Sequence, residues 1–149
     1  MATKLPQDFK EFLKLLNEFN VEYLLIGGYA VAHYGYPRPT ADFDIWIAMN
    51  RVNAAASVHA LEAFGFEQPE LETSLLLEPG RILRMGVPPM RLELMNQIDG
   101  VEFAECFARR NVVNLDGVDA NLISLDDLKQ NKRASGRAKD LNDLEHLPD

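Results

Sequence analysis

The sequence has little cysteine, no long apolar run and no excess of positive charge, and each of these features excludes a class of protein. Its single cysteine, Cys106, excludes an internal disulfide. The longest apolar runs, near residues 23–26 and 75–77, fall far short of the roughly 20 residues that cross a bilayer. No secretory apolar stretch follows Met1, so the sequence predicts a cytoplasmic protein with no membrane partner.

The charge of the chain is acidic and unevenly distributed. The 15 Lys and Arg residues against 23 Asp and Glu residues give a formal net charge of −8, which argues against a protein whose whole surface binds nucleic acid. A basic segment nevertheless lies near the C-terminus, and an acidic protein with one such segment can still bind a phosphate group. Its cations are Lys129, Lys132, Arg133, Arg137 and Lys139.

Length and composition indicate an ordinary globular chain. It has 149 residues, of which 47% are apolar and 26% charged. A chain of this size buries about 68–70% of its unfolded surface, so it forms a core without disulfides or metals. We therefore expect a single domain over residues 1–149.

Hydrophobic periodicity and turn signals predict alternating helices and strands. A helix over 6–19 precedes a strand over 21–26, a short helix over 29–34 and a strand over 42–48. Asn50 is then expected to cap a helix that ends at Phe64, and residues 68–73 to form a loop. Further strands are expected at 74–77, 81–85, 90–95, 112–115 and 118–123, with helices at 102–110, 125–134 and 139–147. Asp116-Gly117 marks a hairpin, and Ser124 with Asp127 resembles a capping box.

Two carboxylates on one strand are the first candidate site. Asp42 and Asp44 are two residues apart, so they project from the same face of the strand, while Phe43 and Ile45 project from the other. Paired carboxylates repel unless a cation lies between them, and Mg²⁺ binds one or two carboxylates together with water and phosphate oxygens. The alternative is a solvated strand end without a ligand.

Glycines and a third acid extend this candidate. Gly27-Gly28 follows a strand and begins a helix, where free N–H groups and the helix dipole favour a triphosphate; the alternative is a tight turn. Glu93 lies in a later strand between two core leucines, from which it can meet Asp42 and Asp44 if the strands are neighbours. An exposed strand residue is the alternative for Glu93.

In this order, the motifs resemble a known family. Gly27-Gly28, Asp42-Phe43-Asp44, Glu93 and the basic segment with Asp140 and Asp143 are similar to the minimal nucleotidyltransferases of the DNA polymerase β superfamily. The resemblance is closest to the AbiEii-type toxins of abortive infection and spans nearly the whole chain. It implies an α/β fold of the α+β type, with a mixed β-sheet flanked by helices.

The resemblance also implies a reaction and its cofactor. Two Mg²⁺ ions, with Mn²⁺ as the alternative metal, would assist transfer of a nucleoside monophosphate from a nucleoside triphosphate to a hydroxyl. Glu93 corresponds to an acid that helps take the hydroxyl proton, a position where the family most often has Asp. The implied metal ligands are Asp42, Asp44 and Glu93. The implied catalytic set adds Lys132, and the implied nucleotide-binding residues are Gly27, Gly28, Arg38, Thr40, Lys132, Arg137 and Asp140.

Several alternatives remain open at this stage. The acceptor can be a tRNA end, a protein side chain or a small molecule, and an antitoxin or a second copy of the chain can be a partner. A catalytically silent nucleotide-binding module or partner subunit of the same fold is the second functional hypothesis. Lys132 and Asp140 can instead stabilise an exposed helix, Arg38 and Thr40 can anchor a loop, and Trp46 can stack on a base or pack beneath a helix. Cys106 is expected to be a small buried hydrophobe.

Overall fold

A six-stranded mixed sheet forms the centre of the molecule. In the computed structural model, which describes residues 5–40, 42–66, 73–87 and 90–149, its strand order is β3-β4-β2-β1-β6-β5. The β1/β2, β3/β4 and β5/β6 pairs are antiparallel, and the β2/β4 and β1/β6 pairs are parallel. The strands are β1 (Tyr23–Ile26), β2 (Asp42–Ile47), β3 (Ile82–Val87), β4 (Met90–Met95), β5 (Asn111–Leu115) and β6 (Val118–Leu122). The predicted mixed sheet flanked by helices is confirmed.

The described helices have bounds close to those that periodicity predicts. They are α1 (Gln7–Glu18), α2 (Gly27–His33), α3 (Arg51–Phe64), α4 (Phe103–Ala108), α5 (Leu125–Ser135) and α6 (Ala138–His146). Predicted capping also holds, because the Asn50 side chain accepts a hydrogen bond from the Asn53 amide and the Ser124 hydroxyl accepts one from Asp127. None of the described helices is long and apolar enough to span a membrane.

The two faces of β2 carry opposite chemistry. Phe43, Ile45 and Ile47 are fully buried, and Phe43 stacks on Phe9 of α1 with ring centroids 4.7 Å apart. Side chains alternate along a strand, so Asp42, Asp44 and Trp46 lie on the opposite face. Helix α1 therefore covers the apolar face, and the acidic face remains available for a ligand.

One predicted strand is wrong. Residues 74–77 belong to a 3₁₀ helix, Thr73–Leu77, which packs against α3. The amide of Asn96 donates to the carbonyl oxygens of Leu76 and Glu78 at 3.1 and 2.7 Å, so these carbonyls serve a turn instead of a sheet ladder. Part of the predicted loop at 68–73, up to residue 72, lies outside the described residues.

Candidate active site

Strand register brings the three predicted acids together. Strand β4 runs parallel to β2, with Asp44 opposite Glu93 and Asp42 opposite Arg91. One carboxylate oxygen from each of Asp42, Asp44 and Glu93 lies within 4.8 Å of the others. The structure thus places Glu93 beside the aspartate pair, although the two segments are far apart in sequence.

The electrostatics of this triad are uneven. Burial, together with the neighbouring Glu93 and Asp42 carboxylates, raises the pKa of Asp44 to about 7. Its buried Oδ1 atom has no hydrogen-bond partner in the described part of the chain. Both oxygens of Asp42 instead accept hydrogen bonds from Arg91, at 2.9 and 3.2 Å, and Glu93 accepts one from Arg84 at 2.9 Å. The carboxylate of Asp44 is therefore the one that most needs a cation.

This donor set fits a hard divalent cation. Carboxylate oxygens are the ligands that Mg²⁺ and Mn²⁺ take in proteins. Asp44 Oδ1 has no hydrogen-bond partner among the described residues. The sequence prediction of a metal site at these acids is supported by their geometry, while the identity and number of ions stay predictions.

The raised pKa of Asp44 predicts a pH-dependent penalty in the metal-free protein. An acid whose folded-state pKa lies above its usual 3.8 costs stability once it ionises, so the penalty is absent below about pH 4 and complete above about pH 7. We expect Asp44→Asn to be more stable than the wild type by about 2 kcal/mol at pH 8 and no more stable at pH 4. Urea unfolding with a chelator present measures this difference. Asp119→Asn, which neutralises an exposed acid on β6, is the matched control and should give no gain; parallel pH profiles for wild type and Asp44→Asn would contradict the argument.

The two glycines at the start of α2 give room to the acids and to the loop before β2. Gly27 has a φ of +72°, and a Cβ there would overlap the Asp44 carboxylate. A Cβ at Gly28 would lie 2.7 Å from both the Cβ and the Oγ1 of Thr40. The Thr40 hydroxyl in turn donates to the carbonyl oxygen of Asp42 at 3.2 Å. These glycines therefore allow the strand end, the helix start and the loop to meet.

Gly27→Ala should lose more stability than the backbone strain of a left-handed alanine alone explains, because the added Cβ would overlap the Asp44 carboxylate. That backbone cost is about 1–2 kcal/mol, and Gly117→Ala, at a φ of +88° with open space around its Cβ, measures it alone. We expect Gly27→Ala to lose more stability than Gly117→Ala and to weaken Mg²⁺ binding at least tenfold, a loss typical of a misplaced metal ligand. Thermal melts and metal titration test both parts. Equal losses in the two variants would show that Gly27 serves only the turn.

All the predicted site residues line one cavity of about 450 Å³. We call it the carboxylate cavity. Besides the three acids, its lining includes the glycine turn, the loop before β2 and the start of α6. The predicted residues in it are Gly27, Gly28, Arg38, Thr40, Asp42, Asp44, Glu93, Lys132, Arg137 and Asp140.

Lys132 lies in this lining with its ammonium bound to two carboxylates. Its Nζ donates to Asp140 at 2.8 Å and to Asp143 at 3.0 Å, and the side chain is 5% exposed. Arg38 donates through two nitrogens to the same Asp143, both at 2.8 Å. This buried ion network joins α5, α6 and the loop before β2. The alternative of an exposed helix is wrong for Lys132, while its predicted catalytic and nucleotide-binding roles stay predictions.

The carboxylates of this network are held in their ionised form. Although burial opposes ionisation, hydrogen bonds from Lys132 and Ser135 lower the pKa of Asp140 to about 2, with further help from the charges of Lys132 and Arg137. Burial likewise opposes the ionisation of Asp143, and hydrogen bonds from Arg38 and Lys132 lower its pKa. Arg137 is different, because its side chain is 77% exposed and only its Nε contacts Asp140. Arg137 can therefore reach a ligand in the cavity.

Two basic residues in the cavity lie outside the predicted set of site residues. Arg84 lies opposite Glu93 across the β3/β4 pair, and Lys139 lies in the first turn of α6. The sequence predicted neighbouring strands at 81–85 and 90–95, so an antiparallel register between them was the available signal for Arg84. For Lys139 the signal was its position one residue before Asp140.

Trp46 and Cys106 are both buried and pack against neighbouring side chains. Trp46 is 1% exposed and contacts Phe103 of α4 edge-on, with ring centroids 5.1 Å apart. It therefore packs beneath a helix, as one of the two alternatives predicted. Cys106 is fully buried, and burial, followed by the Asp127 charge, raises the pKa of its thiol to about 12. A thiolate nucleophile is not available there near neutral pH.

Comparison with solved structures identifies the fold. The chain resembles a protein from Thermotoga maritima that is provisionally identified as a nucleotidyltransferase, with a TM-score of 0.61 and 16% sequence identity over 91% of this chain and 87% of that one. At this identity the likeness establishes the fold alone, and the predicted nucleotidyltransferase fold is confirmed. No protein-family model and no curated protein sequence matches the chain.

Proposed function

We propose that the chain is a divalent-metal-dependent nucleotidyltransferase that transfers a nucleoside monophosphate from a nucleoside triphosphate to the hydroxyl of an acceptor. The observation that carries this proposal is the convergence of Asp42, Asp44 and Glu93 in a cavity that also holds exposed basic side chains. The fold shared with the Thermotoga maritima protein supports the same reaction class. Three acids beside a basic rim suit a reaction that uses a cation and a polyanion together.

The acids would hold the metal through oxygens that already converge. Asp42 and Asp44 project from one strand and Glu93 from its parallel neighbour, so the site is built on the sheet instead of a loop. Asp42, Asp44 and Glu93 would hold Mg²⁺ or Mn²⁺, which would lower the pKa of the acceptor hydroxyl and neutralise charge on the triphosphate and the leaving pyrophosphate. We infer that Arg91 and Arg84 compensate Asp42 and Glu93 in the metal-free protein.

The remaining residues would bind and orient the nucleotide. Gly27 and Gly28 leave space for phosphate oxygens at the start of α2, and Arg137 offers a forked donor that suits phosphate. Lys139 adds a second charge from the first turn of α6. In the reaction, the acceptor oxygen bonds to the α-phosphorus while the bond from that phosphorus to the bridging oxygen breaks. Pyrophosphate leaves with the electron pair, and Glu93 takes the hydroxyl proton.

Label transfer tests the activity. The protein is incubated with each triphosphate labelled at the α-phosphate, with Mg²⁺ or Mn²⁺, and with separate fractions of cellular RNA, protein and small molecules. The proposal expects covalent label in one fraction and an equal amount of released pyrophosphate. Nucleotide binding without label in any fraction would instead support the silent binding module, which the existing Arg91–Asp42 and Arg84–Glu93 pairs favour because they neutralise two of the acids without a metal.

We also propose that the chain is a toxin of the AbiEii type, and growth of the host tests this role. If the chain is such a toxin, its expression arrests growth of the host, and an antitoxin or a second copy of the chain acts as its partner. Growth should recover with Asp44→Asn at equal protein abundance, because the arrest would depend on the transfer reaction. Unaltered growth with the wild-type chain, despite label transfer in vitro, would remove the toxin role and leave the enzyme.

A further inference from the structure

Arg91 contacts two of the three acids that converge in the carboxylate cavity. Its Nε and Nη2 donate to the two oxygens of Asp42 at 2.9 and 3.2 Å, and its Nε also lies 3.6 Å from Oε1 of Glu93. Among the ion pairs of the described residues, no other cation contacts two of these acids. A single guanidinium therefore lies against oxygens that the proposed metal would need.

The strand register explains why Arg91 reaches both acids. Arg91 is opposite Asp42 across the parallel β2/β4 pair, and Glu93 is two residues further along β4. Residues two apart on a strand share a face, so Arg91, Asp42 and Glu93 all project from the same face of the sheet. The contact is therefore set by the pairing of two strands and does not depend on a loop.

The Arg91–Asp42 pair is exposed enough to open. The side chains of Arg91 and Asp42 are 32% and 26% exposed, whereas those of the Arg38–Asp143 pair are 15% and 1% exposed. Ion pairs near the surface contribute little to stability, so water or another ion can replace this contact at a small cost. Gly86 of β3 is opposite Arg91, so no side chain of β3 at this register position holds the guanidinium over the acids.

A guanidinium cannot make way for a metal by losing its proton. Arginine stays charged in proteins, whereas a buried lysine in the same position could become neutral. Two cations that share one carboxylate repel each other across a few ångströms. Arg91 must therefore give up contacts with Asp42 when a divalent cation binds to that carboxylate.

From this geometry we propose that Arg91 is an internal competitor for the metal, which holds Asp42 and Glu93 in the metal-free protein and releases them when a divalent cation binds. The proposal rests on the proposed function, because the metal site belongs to that reaction. Arg91 keeps the acids from repelling each other at low metal concentration, and it raises the concentration at which the site fills. The opposite role, in which Arg91 orients Asp42 for the metal, predicts the opposite effect of removing it.

The metal affinity of an Arg91 variant separates these two roles. Arg91→Met retains much of the side-chain length and removes the charge. The probe is Mn²⁺ alone, whose free concentration is measured by electron paramagnetic resonance at about pH 8, above the pKa of about 7 at Asp44. We expect Arg91→Met to bind Mn²⁺ about three- to tenfold more tightly than the wild type. Affinity equal to or weaker than that of the wild type would overturn the proposal.

Arg51→Met is the matched control. Arg51 is exposed at the start of α3 and lies outside the carboxylate cavity, so its substitution removes the same charge and should leave the Mn²⁺ affinity unchanged. Equal gains in both variants would reduce the effect to net charge and overturn the proposal. In thermal melts, a fixed concentration of Mn²⁺ should raise the Tm of Arg91→Met more than that of the wild type, because a tighter ligand stabilises the folded state more.

A second measurement follows Arg91 in the wild-type chain. The Nε–H signal of Arg91 in a nitrogen-15 NMR spectrum is assigned by its loss in Arg91→Lys. Mg²⁺ should shift this signal, because the hydrogen bond to Asp42 breaks. The Nε–H signal of Arg109, which donates to Asp127 at 3.1 Å outside the carboxylate cavity, should stay in place. An unchanged Arg91 signal in the Mg²⁺-bound protein would show that the guanidinium does not move, and would overturn the proposal.

The two proposals fail in different ways. If Arg91→Met gains Mn²⁺ affinity but no fraction ever accepts label, the competition stands and the transferase does not. If label is transferred while Arg91→Met binds Mn²⁺ no more tightly than the wild type, the transferase stands and the competition is overturned. If neither the wild type nor Arg91→Met binds Mn²⁺, the metal site is excluded and both proposals are overturned.

Discussion

Asp44→Asn is expected to lower the rate of nucleotide transfer roughly 10³-fold, the scale of losing one preorganised charge at a reacting centre. Asparagine has nearly the same shape but offers one neutral oxygen, so metal binding weakens while packing is preserved. The buried Oδ1 of Asp44 has no partner in the described ranges, which makes Asp44 the acid with the greatest need of a cation. Pyrophosphate release and label transfer at saturating Mg²⁺ measure the loss.

Asp119→Asn is the matched control for this result. Asp119 is an exposed acid on β6, outside the carboxylate cavity, so its substitution should leave the transfer rate unchanged. Unfolding curves on the same samples establish that Asp44→Asn is folded. A variant that transfers nucleotide at the wild-type rate would exclude Asp44 from the reaction, and a variant that unfolds would make it a structural residue.

The second large effect is on stability. Lys132→Met should destabilise the protein by about 3–5 kcal/mol, because it leaves the buried Asp140 and Asp143 carboxylates without their shared cation. Asp143 keeps Arg38 and Asp140 keeps Arg137, so the fold should survive with a lower unfolding midpoint. Urea unfolding at about pH 7 gives the difference.

Two comparisons separate the network from a general effect of losing a lysine. Lys129→Met changes the same helix but removes only a hydrogen bond to the carbonyl of Pro148, and should cost less than about 1 kcal/mol. Lys132→Met/Asp140→Asn/Asp143→Asn removes the two charges along with the lysine and should recover much of the loss. Failure of this triple variant to regain stability would contradict the charge argument. If Lys132 also contacts the triphosphate, the triple variant will still bind nucleotide at least tenfold more weakly.

Local signals in the sequence were sufficient for most of the fold. Periodic apolar residues define α1, side-chain caps at Asn50 and Ser124 begin α3 and α5, and Asp116-Gly117 forms the β5/β6 turn. These features depend on neighbours a few residues away, so a single sequence contains them. The 3₁₀ helix at Thr73–Leu77 was not predictable in this way. The donor to the carbonyl oxygens of Leu76 and Glu78 is the side-chain amide of Asn96, which is distant in sequence.

The candidate site was predictable in its residue types and less so in its contacts. The spacing of Asp42 and Asp44 gives their shared face, and the family resemblance added Glu93 and the basic segment. The network that binds Lys132 joins Arg38 to Asp143 across 105 positions, and no local pattern reports such a pairing. The resemblance predicts a triphosphate contact for Lys132, which stays a prediction, and the structure adds Asp140 and Asp143 as its partners.

The position of β2 in the sheet separates the chemistry of the site from its motions. This strand lies between β4 and β1, so both of its edges are hydrogen bonded, and its amide hydrogens should exchange with solvent only when the sheet itself opens. The acids thus stand on a slowly exchanging part of the molecule. Arg137 and Lys139 belong instead to the junction of two short helices at the surface. If the chain binds a nucleotide as proposed, we expect the fluctuations that admit it to involve Arg137 and Lys139, while Asp42, Asp44 and Glu93 keep a fixed frame.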